Sequence, residues 1–212
     1  YIFIILMDTY LSFDDEDKLK NIIHKNTFNW LSQRCKNLGL IPSKSKILDL
    51  GCGHGNMSLA LSHHFHTVYG VDPSIKMLKY ARNLRKRAQK FYTLTNVRFY
   101  LGDFENIPIK QLDVICLFNS IHFSKQVMKD LIYILSFVKQ GGIIVISEPS
   151  SKSTFGSKLM EDNILLKKKI KILKKVLLEI KLFLKWCIEH KKASIIIESK
   201  TDKKYFVLLQ KL

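Results

Sequence analysis

The sequence predicts an α/β fold in which a parallel sheet is covered by helices on both faces. Five short apolar runs recur along the first 150 residues, and segments with helical spacing separate most of them. Three of these runs carry an aspartate at or near their exits, and the first opens into a turn with three glycines. Strands that are apolar throughout are typical of parallel sheets, which bind ligands at the carboxyl ends of their strands.

The first run, residues 46–50, leads into Gly51, Gly53 and Gly55, and a helix is predicted over residues 56–62. Glycines allow a sharp turn and let the backbone approach a bulky ligand, because no Cβ stands in the way. The stretch therefore predicts a strand, a ligand-binding turn and a helix in succession.

Two other nucleotide-binding motifs fit this turn less well. A dinucleotide fingerprint has glycine at the sixth position of G-x-G-x-x-G, where this chain has Asn56. A Walker loop needs lysine followed by serine or threonine, and Asn56 and Met57 supply neither. The spacing favours S-adenosylmethionine (SAM) over NAD and argues against ATP hydrolysis here. A glycine-rich turn without a ligand is the structural alternative.

The second run, residues 68–72, ends in Asp72 about twenty residues after the first glycine, where a ribose acceptor belongs. A carboxylate can accept both hydroxyl protons of an unphosphorylated ribose. In the alternative interpretation, Asp72 begins a turn with Pro73 and caps a helix over residues 74–87 that contains Met77. The two roles are compatible.

Three further runs complete the pattern, at residues 96–104, 112–119 and 141–149. Asp103 lies at the exit of the third run and is a candidate acceptor for an adenine amine, with Phe104 beside the ring. Five apolar runs separated in this way predict a doubly wound sheet.

These motifs together resemble the class I SAM-dependent methyltransferases, in particular their small-molecule and ubiquinone-type branch. The likeness covers residues 46–149. ILDLGCGHGNMSLAL resembles the family's first motif, VYGVDPSIKMLKYAR its second, VRFYLGDFENIP its third, LDVICLFNSIHF its fourth and VKQGGIIVISEP its fifth. The resemblance implies a Rossmann-like, mostly parallel sheet of seven strands with a C-terminal antiparallel hairpin, for which residues 193–199 and 205–212 are candidates.

The resemblance also implies roles for the residues at the strand exits. The glycine turn would hold the methionine part of SAM, Asp72 the ribose, and Asp103 with Phe104 the adenine. The predicted cofactor-binding residues are Asp49, Gly51, Cys52, Gly53, Gly55, Asp72, Pro73, Met77, Asp103, Phe104 and Asn119.

Methyl transfer from a sulfonium needs little acid or base machinery, because the leaving group is neutral, and positioning supplies much of the rate. Residues 119–123 follow the fourth run and are predicted to touch the methyl group and the acceptor. Within them His122 is the candidate base for a hydroxyl or carboxyl acceptor, and a hydrogen-bonded wall histidine is the alternative. The predicted reaction methylates a small organic acceptor and releases S-adenosylhomocysteine.

Other methylation chemistries find less support. The chain has no Asn or Asp followed by Pro-Pro and an aromatic residue, which argues against methylation of a base amine. It has no Pro-Cys pair for attack on cytosine, and Cys116 lies inside an apolar run. An RNA methyltransferase and a SAM-binding protein without turnover are the alternative functions.

Length and composition favour a single domain of 212 residues with a sizeable core, since 47% of the residues are hydrophobic. Its predicted parts are an N-terminal lid region (1–40), a SAM-binding core (46–150), a basic helical lid (155–192) and a terminal hairpin (193–212). The wide spacing of the four cysteines predicts a reducing compartment, the cytoplasm, and no structural zinc. His63, His64 and His66 form a dense trio, which we interpret as partially exposed side chains without a metal.

Residues 1–7 are apolar but too few to span a bilayer, which takes about twenty residues. The first residue, Tyr1, suggests a fragment, with Met7 as a candidate start. An amphipathic helix is predicted over residues 14–35, and the resemblance places Tyr10 and Phe13 near the cofactor.

The net charge of +17 is concentrated in the last third of the chain, where residues 151–212 hold sixteen lysines and six acidic residues. A long basic amphipathic helix is predicted there, with the apolar stripe Leu166, Ile170, Leu173, Leu177, Ile180, Leu184 and Ile188. Such a helix can form a substrate lid, lie on an anionic membrane or meet RNA, or it can be a solvated face in a lysine-rich chain. RNA is less favoured, because the helix has no arginine and no stacking aromatics interleaved with its lysines. The oligomeric state stays open.

Overall fold

One sheet of seven strands forms the centre of the computed structural model, which describes residues 28–149, 164–200 and 204–212, with side chains of the long fifth helix described from residue 170. The strands are β1 (Lys46–Leu50), β2 (Thr67–Asp72), β3 (Val97–Leu101), β4 (Leu112–Phe118), β5 (Val138–Pro149), β6 (Ala193–Lys200) and β7 (Lys204–Lys211). Their order in the sheet is β3-β2-β1-β4-β5-β7-β6. The first five strands are parallel, and β7 pairs antiparallel with both β5 and β6. The predicted mostly parallel sheet with a terminal hairpin is confirmed.

Among the residues that the structure describes, five helices cover the sheet: α1 (Asn29–Asn37), α2 (Asn56–Leu61), α3 (Ile75–Ala88), α4 (Val127–Phe137) and α5 (Ile164–Glu189), with 3₁₀ turns at Pro42–Lys44 and Ile121–Phe123. The first three bury apolar residues in one core cluster, and α4 and α5 do so in the other. Neighbouring strand residues such as Ile47 and Leu48 belong to different clusters. Successive side chains of a strand point to opposite faces, so both faces of the sheet are covered.

The strand order reverses beside β1. From β1 the chain first adds β2 and β3 on one side, and it then returns to add β4 and β5 on the other. The segment after β1 packs into one core cluster, and the turn after β4 packs into the other. In doubly wound sheets a crevice opens at such a point, outside the carboxyl ends of the strands.

The local chemistry of α3 explains where it begins. Ser74 is the N-cap, and its hydroxyl accepts from the N–H of Met77 at 3.3 Å. The predicted helix over residues 74–87 is thus confirmed to within one residue, but Ser74 caps it and not Asp72.

Helix α5 confirms the predicted long basic helix between the fifth and sixth strands. Leu173, Leu177, Ile180 and Leu184 are buried as predicted, whereas Ile188 is 59% exposed, so its place in the apolar stripe is wrong. The buried face also contains Val176, Phe183 and Cys187, which turns the contact surface away from Ile188. The side chain of Leu166 lies outside the described residues.

At the start of the described chain, α1 occupies residues 29–37, and Phe28 and Leu31 are fully buried. Most of the helix predicted over residues 14–35 lies outside the described residues, as do Tyr10, Phe13 and residues 1–7. The predicted turn at residues 201–203 lies outside them as well.

All four cysteines are free and buried. Burial raises the pKa of Cys35 to about 12 and that of Cys187 to about 11, and it also raises the pKa of Cys116, so the thiols stay protonated at neutral pH. His63 lies edge-on against Tyr92 at 5.0 Å between ring centroids. In the described ranges no three His, Cys, Asp or Glu side chains are placed to hold a metal ion. Of the helices described, none is both long and apolar enough to cross a membrane.

Candidate functional site

The loop after β1 turns on three glycines. Gly51, Gly53 and Gly55 have φ angles of 78°, 51° and 81°, in the left-handed region that side chains with a Cβ rarely adopt. The N–H groups of Gly51 and Cys52 both donate to the carbonyl of Val71, at 2.8 and 3.0 Å. These bonds fix the loop to the end of β2 and let α2 begin directly after the last glycine.

The glycines differ in what a side chain would meet. A Cβ on Gly51 would overlap the Cβ of Ser120, and one on Gly55 would lie 2.8 Å from the ring of Phe99. A Cβ on Gly53 would have no atom within 4 Å. Close packing therefore requires glycine at positions 51 and 55, whereas Gly53 borders open space at the carboxyl edge of the sheet.

Asp49 lies beneath this loop, and its side chain is buried. One carboxylate oxygen accepts from the hydroxyl of Ser58 at 2.6 Å. Burial raises the pKa of Asp49 to about 6, and the charge of Asp72 adds to the rise, while the Ser58 hydrogen bond opposes it. The carboxyl is therefore mostly ionised at pH 7 and places negative charge under the glycine turn.

Asp72, at the end of β2, joins the glycine loop to the start of α3. Its Oδ2 accepts from the N–H of Gly53 and its Oδ1 from that of Ser74, both at 2.8 Å. A carboxylate has about four acceptor positions, so further capacity remains on both oxygens. This leaves Asp72 able to bind hydroxyl groups beside Gly53.

Asp103 and Phe104 follow β3 at the same edge, since Leu101 pairs with Asp72 in the sheet. The carboxylate of Asp103 is exposed, and its Oδ1 accepts from the backbone N–H groups of Glu105 and Asn106 at 3.0 and 2.8 Å. Phe104 is half-buried against the core. The Asp103 turn is thus ordered by its own backbone, and its second oxygen points to no described donor.

Two other predicted cofactor residues lie at the start of α3. Pro73 is exposed, and Met77 is half-buried. Neither makes a described side-chain hydrogen bond, so both could contribute only apolar surface to a bound ligand.

The segment after β4 approaches the glycine loop, and Ser120 lies against Gly51. Asn119 has a φ of 52°, its N–H donates to the carbonyl of Ser147 at 2.7 Å, and its side-chain oxygen accepts from Lys204 Nζ at 3.1 Å. Ser120 is 2% exposed, and its hydroxyl has no hydrogen-bond partner among the described residues. A buried hydroxyl without a partner costs free energy, which a ligand in the crevice could offset.

His122 is held by a buried carboxylate that the sequence analysis did not single out. Glu148 is fully buried, and its Oε1 accepts from the N–H groups of Ser120 and Ile121 at 2.8 and 2.9 Å. Its Oε2 lies 2.6 Å from His122 Nδ1, and the His122 side chain is 21% exposed. An ionised carboxylate can only accept, so with Glu148 ionised Nδ1 of His122 would be the donor in this contact.

The structure brings some of the predicted site residues into direct contact and leaves others apart. The glycine turn, Asp49 and Asp72 form one hydrogen-bonded unit, and Ser120 brings the segment from Asn119 to His122 against it. A signal for Glu148 was present in the sequence, because it is an acid at the exit of an apolar run, as Asp72 and Asp103 are.

Comparisons with known proteins match the sequence to a family. A family model described as a methyltransferase domain matches residues 41–209. A demethylmenaquinone methyltransferase of Tropheryma whipplei is 30% identical over 128 residues, which are 60% of this chain and 51% of that protein. A 23S rRNA uracil-C5 methyltransferase of Francisella tularensis is 31% identical over 116 residues, 54% of this chain and 23% of that protein. The chain therefore spans about half or less of the length of these relatives.

Solved structures share the fold at low sequence identity. A SAM-dependent methyltransferase from Aquifex aeolicus has a TM-score of 0.58 at 17% identity, with 93% of this chain and 99% of that chain covered. Magnesium protoporphyrin IX methyltransferase from Synechocystis, solved with bound S-adenosylhomocysteine, has a TM-score of 0.56 at 16% identity, with 94% and 88% covered.

We expect Gly51→Ala to lower the free energy of unfolding by about 2–4 kcal/mol, because alanine is strained at this φ and its Cβ would overlap Ser120. Gly39→Ala is the matched control, since Gly39 has a φ of 85° with open space around it and should cost only about 1 kcal/mol. Urea unfolding followed by circular dichroism measures both. Equal losses would contradict the close approach of Gly51 to Ser120.

The buried carboxyl of Asp49 predicts a pH-dependent stability. Its pKa rises from 3.8 to about 6 on folding, so the folded chain holds this proton more tightly, and stability is lost as pH rises from about 4 to 6. Asp49→Asn should escape this loss and exceed the wild type by about 2–3 kcal/mol at pH 7.5, with a smaller difference near pH 4. Denaturant titrations across this range measure it. A difference independent of pH would show that the carboxyl is not the cause.

Proposed function

This chain belongs to the family of class I SAM-dependent methyltransferases, and from that premise we propose that it transfers the methyl group of SAM to an oxygen atom of a small organic acceptor. The observation that carries the oxygen assignment is the contact of His122 with the buried Glu148, across the crevice from the glycine turn. A hydroxyl acceptor must lose a proton as it is methylated, and a histidine held by a carboxylate can take it.

The residues around the crevice fit an adenosyl cofactor with a methionine tail. Gly53 borders open space, Asp72 keeps acceptor capacity beside it, and the Ser120 hydroxyl lacks a described partner. In the proposed arrangement the glycine turn holds the methionine part, Asp72 the ribose, and Asp103 with Phe104 the adenine. When bound, SAM supplies an electrophilic methyl group on a sulfur that leaves as a neutral thioether.

The protein's own contribution begins with the orientation of His122. In the proposed arrangement an ionised Glu148 accepts from Nδ1–H of His122, so that Nε2 carries the lone pair that can accept a proton. The same carboxylate also holds the backbone of the turn that carries the histidine. Glu148 therefore positions the base, and its negative charge stabilises the imidazolium formed when the acceptor loses its proton.

Positioning of the acceptor accounts for the remainder of the rate. Alignment of two reacting groups at about 3–3.5 Å is worth roughly 7–11 kcal/mol in favourable models. The proposed crevice lies between the glycine turn and the segment from Asn119 to His122, and the approach of Ser120 to Gly51 supports this placement. An acceptor seated there would have the base on one side and the cofactor on the other.

An RNA methyltransferase is the second candidate. Residues 73–102 contain eight basic residues and no acidic one, and four of the chain's five arginines lie there. Of the two curated relatives, one is named for a small-molecule acceptor, demethylmenaquinone, and the other for ribosomal RNA. The arginines favour RNA, but Arg82 and Arg85 already donate to the carbonyls of Phe99 and Val97, at 3.2 and 2.6 Å. The small acceptor therefore has the stronger support.

A SAM-binding protein without turnover is the third candidate function. A cytoplasmic location stays a prediction.

We expect calorimetry to detect SAM binding and Gly53→Ala to weaken it about tenfold or more, because the added methyl group would occupy space proposed for the methionine part. Gly39→Ala, with the same kind of backbone strain, should bind SAM as the wild type does. Thermal unfolding of both variants checks that they are folded. No heat signal with the wild type, or equal affinities for the two variants, would contradict this cofactor site.

We expect His122→Gln to lower kcat about a hundredfold on hydroxyl acceptors, with SAM affinity unchanged, because the proton acceptor is lost. Glu148→Gln should lower kcat and shift the pH profile, because a neutral amide no longer stabilises the imidazolium. Transfer of tritiated methyl groups to a panel of phenols and carboxylic acids measures this, and His190→Gln, an exposed histidine, is the control. Unchanged turnover in His122→Gln would exclude the base role. SAM binding without transfer to any acceptor would favour a protein without turnover.

A further inference from the structure

The solvent-facing side of α5 carries apolar side chains in its middle. Leu178 and Leu182 are 58% and 47% exposed, although the helix buries seven other residues against the core. They stand one turn apart, as residues four positions apart do in a helix. Two neighbouring leucines on an exposed helix face form a small apolar patch.

Lysines flank this patch on both sides. The exposed positions 171, 175, 178, 182 and 185 follow one another at spacings of four, three, four and three, which makes one stripe along the helix. A second stripe runs through positions 174, 178, 181 and 185. Lysine occupies every one of these positions except the two leucines. We call the surface formed by Lys171, Lys174, Lys175, Leu178, Lys181, Leu182 and Lys185 the leucine–lysine face.

The charge of this surface is one-sided. Residues 170–189 contain five lysines and two glutamates. Glu179 lies 3.7 Å from Lys175, and Glu189 lies 3.6 Å from Lys185. Both lysines are exposed, and pairs at this spacing on a helix surface are weak and screened by salt, so the surface keeps a net positive charge.

We propose that the leucine–lysine face docks on an anionic lipid bilayer, with the leucines inserted at the boundary of the acyl chains and the lysine ammonium groups at the lipid phosphates. A helix lies in a membrane interface when its apolar residues face the lipid and lysines stand beside them. Lysine stems can follow the apolar surface while their charged ends reach the head groups. Each lysine near an anionic leaflet adds a favourable electrostatic term.

Other occupants fit this surface less well. A second copy of the chain would bring lysines against lysines, which repel. RNA is bound through arginine forks and through aromatic rings that stack on bases, and the leucine–lysine face has neither. An acidic lipid surface complements both the charge and the aliphatic patch.

Docking through α5 would also place the proposed acceptor site near the membrane. Helix α5 packs against the 3₁₀ turn that carries His122, and Glu179 accepts from the backbone N–H of Met128 at 3.2 Å. A docked chain would hold the acceptor side of the crevice close to the bilayer. If the proposed function is correct, an apolar acceptor could then enter from the membrane, a consequence that docking itself does not require.

Vesicle sedimentation with the full chain tests the proposal. We expect binding to phosphatidylcholine vesicles that contain about one third phosphatidylglycerol, little binding to phosphatidylcholine alone, and a decrease at high salt. Leu178→Gln/Leu182→Gln and Lys174→Gln/Lys181→Gln should each lower the partition coefficient about tenfold or more. Lys86→Gln/Lys90→Gln, two exposed lysines at the end of α3, is the control and should change it less than about twofold.

Several results would overturn the docking proposal. One is the absence of binding to anionic vesicles, and another is wild-type binding by the leucine double variant, which would show unspecific charge attraction. Two results without vesicle binding would assign the surface to another partner. RNA binding that is lost in the lysine double variant would assign it to RNA. A dimer in sedimentation velocity that is lost in the leucine double variant would assign it to a second copy of the chain. Calorimetry with SAM on the same variants should show unchanged affinity, so a failure of docking is distinguishable from a failure of the cofactor site.

Discussion

The close approach of the loop after β1 to the segment after β4 is the constraint on which the crevice depends. These two strands are neighbours in the sheet, but the segments that follow them pack on opposite faces. They meet where the Gly51 backbone touches Ser120, and no side chain larger than hydrogen fits at position 51. Ser120 is in turn held by Glu148 through its backbone N–H. One contact thus ties the glycine turn, the His122 turn and the end of β5 into a single arrangement.

Three buried carboxylates, at the ends of β1, β2 and β5, differ in the hydrogen bonds they accept. Glu148 accepts two backbone N–H groups and contacts His122, and Asp72 accepts two N–H groups. Asp49 accepts hydrogen bonds from the side chain and the backbone of Ser58, and burial nevertheless raises its pKa. Burial of a carboxylate is costly unless hydrogen bonds replace water. Their collection at one edge of the sheet supports the proposed site there.

Much of the fold could be predicted from the sequence because its signals are local. The apolar runs, the glycine turn and the helix beginning at Ile75 each depend on residues close together in the chain. The contact between His122 and Glu148 joins residues 26 positions apart, and its geometry arises only when β4 and β5 pair. The apolar stripe of α5 was predicted for most of its length, but Ile188 is exposed, since spacing alone does not fix which way a helix faces near its end. The acceptor could not be predicted from the sequence, because methyl transfer relies on positioning more than on distinctive side chains.

The place of β7 in the sheet determines when the edge of β5 becomes paired during synthesis. The last strand of the sequence fills the gap between β5 and β6, and Lys204 at its start reaches Asn119 beside the crevice. During synthesis the amino-terminal residues emerge first, so β5 has an open edge until β7 leaves the ribosome. An unpaired strand edge invites contact with other chains. A nascent chain therefore passes through an aggregation-sensitive interval that ends only when β7 has been made, and a chain that stops before β7 would keep the edge of β5 exposed.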